Sequence, residues 1–186
     1  MKLSILICTV PSRVEKYLPK MINNLDKQAE KHKGVEVLYL GDNKRRSVGE
    51  KRNDLLRLAK GDYVAFVDDD DEVTQDYVKM LLRGIESGAD VVNFKVSCSV
   101  NGGEYKDVIY DARFHRNQNH KDQYWRLPNH IMCIKRELAL KAGFPEINMS
   151  EDDEFAKRLK PSIKTQASID KVLYYYIFSH QTSETQ

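Results

Sequence analysis

The sequence has few of the features that mark secreted or membrane-spanning proteins. Its 186 residues include three widely spaced cysteines, Cys8, Cys98 and Cys133, and no Cys-x-x-Cys pair. This pattern indicates neither a disulfide framework nor a thiolate zinc site. No apolar run approaches the roughly 20 residues that cross a bilayer, and no signal peptide precedes the first apolar segment. We therefore expect a soluble cytoplasmic protein without a membrane partner.

An excess of charge of either sign is also lacking. Charged residues make up 31% of the chain but leave a net charge of only +2, which argues against a strongly basic nucleic-acid binder. The hydrophobic content of 41% is sufficient for a substantial core. We expect one domain over residues 1–186 and make no prediction of its oligomeric state.

Short apolar runs alternate with helical patterns in the first half of the chain. Strands are predicted at residues 3–8, 35–40 and 63–67, and helices at 14–31 and from a Ser47–Glu50 capping box to just before Gly61. Strands that alternate with helices predict a mainly parallel sheet covered on both faces. Ligands of such sheets bind beyond the carboxyl ends of the strands.

The second half of the chain has a mixed pattern. A helix is predicted at 74–87, a hairpin from 91–100 through Asn101-Gly102-Gly103, and a polar loop at 111–124. An apolar piece at 131–134, helices at 136–142 and 150–159, and a strand at 172–178 follow. The predicted fold class is α/β, a three-layer α/β/α sandwich with a mixed, mainly parallel central sheet.

Four consecutive carboxylates, Asp68 to Asp71, directly follow the predicted strand at 63–67. Like charges packed together cost free energy unless a cation neutralises them. In an extended chain Asp68 and Asp70 project to the same side, where both could hold one divalent cation. Such a cation could bridge two phosphates and stabilise a leaving group.

Two other interpretations of these carboxylates were considered. The segment could be a solvated acidic turn that caps the next helix. A calcium loop is a poorer match, because counting from Asp68 places Val73 and Lys79 where glycine and glutamate are required.

Taken together, residues 3 to about 180 resemble a family 2 glycosyltransferase with the Rossmann-like GT-A fold. The segment from Lys60 to Asp71, preceded by Lys51-Arg52-Asn53, is similar to the most specific stretch of that family. The resemblance implies a nucleotide-sugar donor, with a UDP-sugar favoured, and inverting transfer to an acceptor hydroxyl. It implies an Mn²⁺ or Mg²⁺ cofactor held by Asp68 and Asp70. The implied donor-binding residues are Thr9, Asp42, Arg52, Asp68 and Asp69.

The segment from Ser150 to Leu159 resembles the family's Glu-Asp motif, which opens a helix beneath the acceptor. Asp152 is then the general base. The alternative is that Glu151, Asp152 and Asp153 only complement the positive end of a helix. Glu154 stands where the family commonly has aspartate.

The segment from Tyr174 to His180 resembles the family's closing strand and polar tail, which makes His180 a candidate metal ligand. An imidazole ligand would favour manganese. Solvent exposure is the alternative for a histidine near the end of a chain.

Acceptor contacts are predicted from three further residues, Trp125, His130 and Glu151. An aromatic ring that faces a pocket can stack on a sugar or a base, although a single tryptophan is often part of the core. The basic residues Lys44, Arg45, Arg46 and Lys51 are interpreted either as phosphate contacts or as a solvated helix face.

The acceptor is left open between a glycan and a hydroxylated DNA base, which would have to be flipped out or single-stranded. The DNA alternative comes from a resemblance of residues 128–137 to compact enzymes of viral type, for which the compartment would be the host cytoplasm.

Two other classes of protein are alternatives to a glycosyltransferase. A nucleotidyltransferase is disfavoured because Thr9-Val-Pro-Ser-Arg13 replaces a glycine-rich phosphate loop. A non-catalytic nucleotide- or metal-binding module stays open.

Overall fold

A computed structural model describes residues 1–179 of the protein. The strands are β1 (Leu3–Thr9), β2 (Val35–Gly41), β3 (Tyr63–Phe66), β4 (Glu72–Val73), β5 (Val91–Val100), β6 (Lys106–Tyr110), β7 (Gln118–Asn119), β8 (Gln123–Arg126), β9 (Cys133–Lys135) and β10 (Gln166–Phe178). The helices are α1 (Pro11–Val14), α2 (Leu18–Ala29), α3 (Val48–Leu58), α4 (Tyr77–Ile85), α5 (Arg136–Ala142) and α6 (Glu151–Leu159), followed by a short 3-10 helix (Lys160–Ser162). None of the helices within residues 1–179 is long and apolar enough to cross a bilayer.

All the described strands join one mixed sheet, which confirms the predicted α/β fold class. Its main order is β2-β1-β3-β9-β5-β6-β8-β7, with β10 on the other side of β5. Strands β2, β1 and β3 are parallel, so their carboxyl ends lie at one edge. β1 and β3 are almost wholly buried, as expected of strands covered on both faces.

Strand β5 connects the two halves of the sheet. It pairs antiparallel with β9 and β6 and parallel with β10. The hairpin predicted after residue 100 is confirmed by the β5–β6 pairing. Helix α2 packs with α4, whereas α3 packs with α5 and α6, and these two groups enclose a single hydrophobic core with the sheet.

The helix predicted at 14–31 is wrong as one continuous element. The structure has α1 and α2 with a break at residues 15–17. Pro19 lies in the first turn of α2, where its missing N–H costs nothing. Inside one continuous helix the proline would lose the hydrogen bond to the Glu15 carbonyl, and its ring would clash with that group.

Three other boundaries differ from prediction because polar residues pair in the sheet. Thr74 directly follows β4, its N–H donates to the Leu173 carbonyl of β10, and α4 begins only at Tyr77. The polar loop at 111–124 contains β7 and the start of β8. Strand β10 begins at Gln166 and pairs with β5 through a register shift after Ile169.

Candidate active site

A cavity of about 590 Å³ opens at the carboxyl ends of β1 and β3. Its walls come from the loop after β1, the start of α3, the acidic segment after β3, one face of β5, β6 and β8, and the start of α6. The volume lies in the range of small-molecule sites, and the position is the usual one for ligands of an open α/β sheet.

The acidic segment Asp68 to Asp71 forms a turn, in which the Asp71 N–H donates to the Asp68 carbonyl at 3.2 Å. The expectation that Asp68 and Asp70 share a side because the chain is extended is therefore wrong. All four aspartates nevertheless line the cavity.

Two of these carboxylates are held from the loop after β1. The Arg13 guanidinium donates to Asp69 at 3.0 Å and lies 2.8 Å from an oxygen of Asp70. The Thr9 hydroxyl donates to the other oxygen of Asp69 at 2.6 Å. Thr9, Arg13 and the acidic turn therefore form one wall.

Asp68 is paired with buried groups behind the cavity. It accepts from Arg52 at 3.1 Å and lies 3.5 Å from His130 Nε2. Burial raises the pKa of Asp68, but His130 and Arg52 outweigh burial and hold it below its usual range. Nδ1 of His130 is buried and makes no hydrogen bond within residues 1–179.

Tyr174 of β10 fixes both ends of the turn. Its hydroxyl accepts from the Asp68 N–H at 3.0 Å and donates to the Asp71 carboxylate at 2.6 Å. The Ile177 N–H also donates to Asp71 at 2.8 Å. Burial, and to a lesser extent the negative charge of Asp68, raises the pKa of Asp71 well above its usual range. Because Asp71 accepts these two hydrogen bonds, it is a structural part of the turn.

The acidic turn retains an excess of negative charge despite its arginine partners. Burial, together with the negative charges of Asp68 and Asp69, raises the pKa of Asp70 to about 6 against the opposing effect of Arg13. No group of three or more His, Cys, Asp or Glu side chains converges to form a metal cage within residues 1–179. Mg²⁺ is commonly held by one or two carboxylates together with substrate phosphates and water. The oxygen donors of Asp68 and Asp70 fit a hard divalent cation shared with a diphosphate.

Three consecutive residues of α3 contact three different parts of the structure, two of them walls of the cavity. Lys51, only 2% exposed, donates to the Thr9 carbonyl at 3.1 Å. Arg52, 5% exposed, donates to Asp68 and, at 2.6 Å, to Glu151 of α6. Asn53 exchanges two hydrogen bonds with the backbone of Phe144. Successive helix residues point about 100° apart, so one short helix reaches the loop after β1, the acidic turn with α6, and the loop after α5.

Helix α6 presents one unengaged carboxylate to the cavity. Glu151 is paired with Arg52, and Asp153 is paired with Lys157 and accepts from Asn117. Asp152 lines the cavity and accepts no hydrogen bond and forms no ion pair within residues 1–179. Among the acidic residues of this first turn that face the cavity, Asp152 is the side chain available to a ligand.

Some predicted site residues lie apart from the cavity. Asp42 does not line it; its carboxylate accepts from the Lys44 and Arg46 backbone and from the Arg46 side chain. Its role toward a donor base stays a prediction. His180 falls outside the described residues.

Trp125 lies on the face of β8 opposite to the cavity. Its neighbours Tyr124 and Arg126 line the cavity, and alternation along a strand turns Trp125 away from them. Its ring stacks on Phe114 at 4.9 Å and contacts His120 at 4.4 Å, measured between ring centroids. Glu151 and His130, the other predicted acceptor contacts, both line the cavity.

Sequence reasoning missed Arg13, Tyr174 and Arg126 as cavity residues. Arg13 follows a predicted strand end, which could have indicated it. Nothing local marks Tyr174, because its partner Asp71 is 103 positions away in the chain. Arg126 was not singled out because its facing depends on the register of β8 with β6.

A mixed α/β sheet with a polar cavity at its parallel strand ends, flanked by carboxylates on two sides, is the GT-A type of architecture that the sequence predicted. Residues 23–143 match Glycosyl transferase family 2, and the chain belongs to this family. No protein with a curated description matches the chain.

Solved structures of S. aureus TarS support the fold assignment. TarS 1-349 is 22% identical with a TM-score of 0.69, over 95% of this chain and 60% of that chain. The same fragment in complex with UDP-GlcNAc is 20% identical with a TM-score of 0.69, over 95% and 58%. Its complex with UDP is 22% identical with a TM-score of 0.69, over 96% and 61%. The chain thus spans about 60% of the length of these fragments.

Proposed function

We propose that the protein is an inverting glycosyltransferase that moves a sugar from a nucleoside-diphosphate sugar to an acceptor hydroxyl, within a single GT-A domain. The observation that carries this proposal is the unengaged carboxylate of Asp152, which faces the same cavity as the acidic turn. Family membership supports sugar transfer. Two of the TarS structures are complexes with UDP-GlcNAc and UDP, which favours a uridine diphosphate sugar here.

The donor occupies the wall formed by Thr9, Arg13 and the acidic turn. Asp68 and Asp70 would hold Mn²⁺ or Mg²⁺ together with the donor's diphosphate. When bound, such a cation supplies positive charge that stabilises the leaving diphosphate. Arg13 lies beside Asp69 and Asp70 and adds a second positive charge at this wall.

Arg52 has a different role from the donor contact expected of it. Its guanidinium is buried between Asp68 and Glu151, so we assign it as a positioning residue. It fixes the acidic turn relative to α6, and thus the donor side relative to the base. Productive geometry requires the reacting atoms to lie about 3–3.5 Å apart, which makes this spacing important.

Asp152 acts as the general base. It takes the proton from the acceptor hydroxyl while that oxygen forms a bond with the anomeric carbon. The bond from the anomeric carbon to the diphosphate oxygen breaks, and its electron pair leaves with the nucleoside diphosphate. One displacement inverts the anomeric configuration, and no covalent enzyme intermediate forms.

Replacing Asp152 tests this assignment. We expect Asp152→Asn to lower the rate of UDP release from UDP-GlcNAc with Mn²⁺ by roughly 10²–10⁴-fold, because the amide cannot accept the proton. The affinity for UDP, measured by calorimetry, should change little. Glu154→Gln is the matched control, since Glu154 pairs with Lys157 and does not line the cavity. Near-normal turnover by Asp152→Asn would refute the base assignment.

A further inference from the structure

One side of the cavity carries a cation that no carboxylate neutralises. Within residues 1–179, four cations line the cavity: Arg13, Lys51, Arg52 and Arg126. Arg13 and Arg52 each contact two carboxylates, and Lys51 lies 3.8 Å from Asp42. Arg126 has no carboxylate within 4 Å in residues 1–179. It is therefore the cation whose charge is available to a ligand.

The register of β6 with β8 groups Arg126 with two other side chains. Val108 pairs with Tyr124 and Tyr110 with Arg126 in a parallel ladder. Because side chains alternate along a strand, Lys106 lies on the same face, one step outward from Val108. We name Lys106, Tyr124 and Arg126 the cation–tyrosine cluster.

The geometry of the cluster is preorganised. The Arg126 guanidinium lies 5.1 Å from the Tyr124 ring centroid, and the Lys106 Nζ lies 5.6 Å from it. Arg126 donates to the Gln118 and Trp125 carbonyls and to the Asn119 side chain, at 2.8–2.9 Å. Three of its five N–H groups thus orient the guanidinium and leave its charge uncompensated.

The cluster faces the acceptor side of the cavity rather than the donor side. Asn117, directly before β7, donates to Asp153, the residue after the proposed base. Tyr110 lies close enough to Arg126 and to Asp152 to be affected by both. Burial raises the pKa of Tyr110, the positive charge of Arg126 lowers it, and the negative charge of Asp152 raises it. Val96 and Val108 form an apolar floor, and electrostatic attraction is stronger beside such surfaces.

We propose that the cation–tyrosine cluster is the acceptor subsite for an acidic carbohydrate, whose oxyanion group binds the Arg126 guanidinium, with Lys106 as a second positive charge beside Tyr124. This proposal rests on the proposed transferase function and names the acceptor class. A planar guanidinium fork binds a phosphate or a carboxylate in a bidentate manner. The cluster has one aromatic ring, which two cations already contact, whereas single-stranded DNA uses several stacking platforms along a basic groove.

Binding of polymers without a donor tests the proposal. The probes are phosphomannan, polygalacturonate, uncharged dextran and single-stranded DNA with hydroxymethylated pyrimidines, measured by calorimetry at 0.15 M salt, roughly physiological ionic strength. We expect one of the two acidic carbohydrates to bind at least about tenfold more tightly than dextran and DNA. The polymer that binds identifies the oxyanion as phosphate or carboxylate. Equal binding of dextran, or tighter binding of DNA, would overturn the proposal.

Substitutions separate a specific subsite from general attraction to a basic surface. Arg126→Gln should weaken binding of the preferred polymer by roughly tenfold or more, the usual effect of losing a charged hydrogen bond. Arg116→Gln is the control, because Arg116 is exposed on the neighbouring loop and does not line the cavity. Its effect should stay below about threefold, as for a solvent-exposed charge. Equal losses in the two variants would contradict the subsite.

Two further measurements keep the outcome decisive. If Arg126→Gln melts well below the wild type, Lys106→Gln at the outer edge of the cluster is used instead. Polymer binding by Lys106→Gln that equals binding by the wild type would count against the proposal. Affinity of the wild type for UDP is measured separately. Absence of UDP binding would reject the donor assignment, while the polymer data alone decide the acceptor subsite.

Discussion

Two carboxylates on opposite sides of the cavity, Asp68 and Glu151, share one guanidinium. Arg52 is 5% exposed and donates to both. Burial lowers the pKa of Arg52, but Asp68 and Glu151 outweigh burial and raise it above its usual value. The arginine is therefore charged at every accessible pH, and the local charge balance depends on it.

Removing this guanidinium should destabilise the fold. We expect Arg52→Gln to lower the free energy of unfolding by about 3 kcal/mol or more, because breaking a buried pair leaves uncompensated charge. Urea denaturation measures this change. Arg57→Gln on the same helix is the control, with a side chain 64% exposed and an expected change within about 0.5 kcal/mol. A loss below about 1 kcal/mol in Arg52→Gln would mean that the charges are not truly buried together.

At the scale of elements, helix α3 organises the site because its first turn packs directly on the loop before α6. The Gly49 N–H donates to the Ile147 carbonyl at 3.2 Å. A Cβ at Gly49 would lie 1.8 Å from the Pro145 carbonyl oxygen, a backbone atom that cannot easily move away. Glycine at this position permits the close approach that brings Arg52 to Glu151.

The sign of the effect of Gly49→Ala tests this packing. Helix propensity alone predicts stabilisation of up to about 1 kcal/mol. The contact with Pro145 predicts a loss of about 1–3 kcal/mol instead, because the helix and the loop must separate. Chemical denaturation decides between them, with Leu58→Ala as the control on the same helix, since Leu58 is 61% exposed. A more stable Gly49→Ala variant would contradict the observed close approach.

The sequence predicts those elements whose burial is uniform. Strands β1 and β3 are continuous apolar runs, and the Ser47–Glu50 capping box forms as predicted at the start of α3. Strand β4 and the beginning of β10 carry polar residues that pair at partly exposed positions. No local periodicity marks such segments, because their pairing depends on distant strands.

The residues of the candidate site also fall into two groups, those with a local sequence pattern and those positioned by distant partners. The aspartates of the acidic turn are predicted from a local pattern and Asp152 from the resemblance to a family motif, and all of them line the cavity. Their partners are not predicted, since Arg13 lies 56 positions before Asp69 and Tyr174 lies 106 positions after Asp68. Which face of the sheet Trp125 occupies depends on how the four-residue strand β8 pairs with β6, and the sequence of β8 alone does not determine that register.

At the scale of the whole molecule, the cavity separates two electrostatic regions. The acidic turn retains an excess of negative charge beside the loop after β1, and the cation–tyrosine cluster retains positive charge on β6 and β8. Asp152 lies in the same cavity at the start of α6. A donor that arrives with a divalent cation complements the first region, and an acidic acceptor complements the second.

The central claim is that the acidic turn binds a cation that the donor diphosphate shares. Calorimetry of UDP binding, with and without Mn²⁺, tests it most directly. We expect Mn²⁺ to tighten the wild-type affinity by at least about tenfold and Asp70→Ala to abolish this effect, because one carboxylate ligand is lost. Asp62→Ala, which removes an exposed carboxylate outside the cavity, should keep the wild-type response. If neither Mn²⁺ nor Mg²⁺ changes the wild-type affinity for UDP, the claim is contradicted.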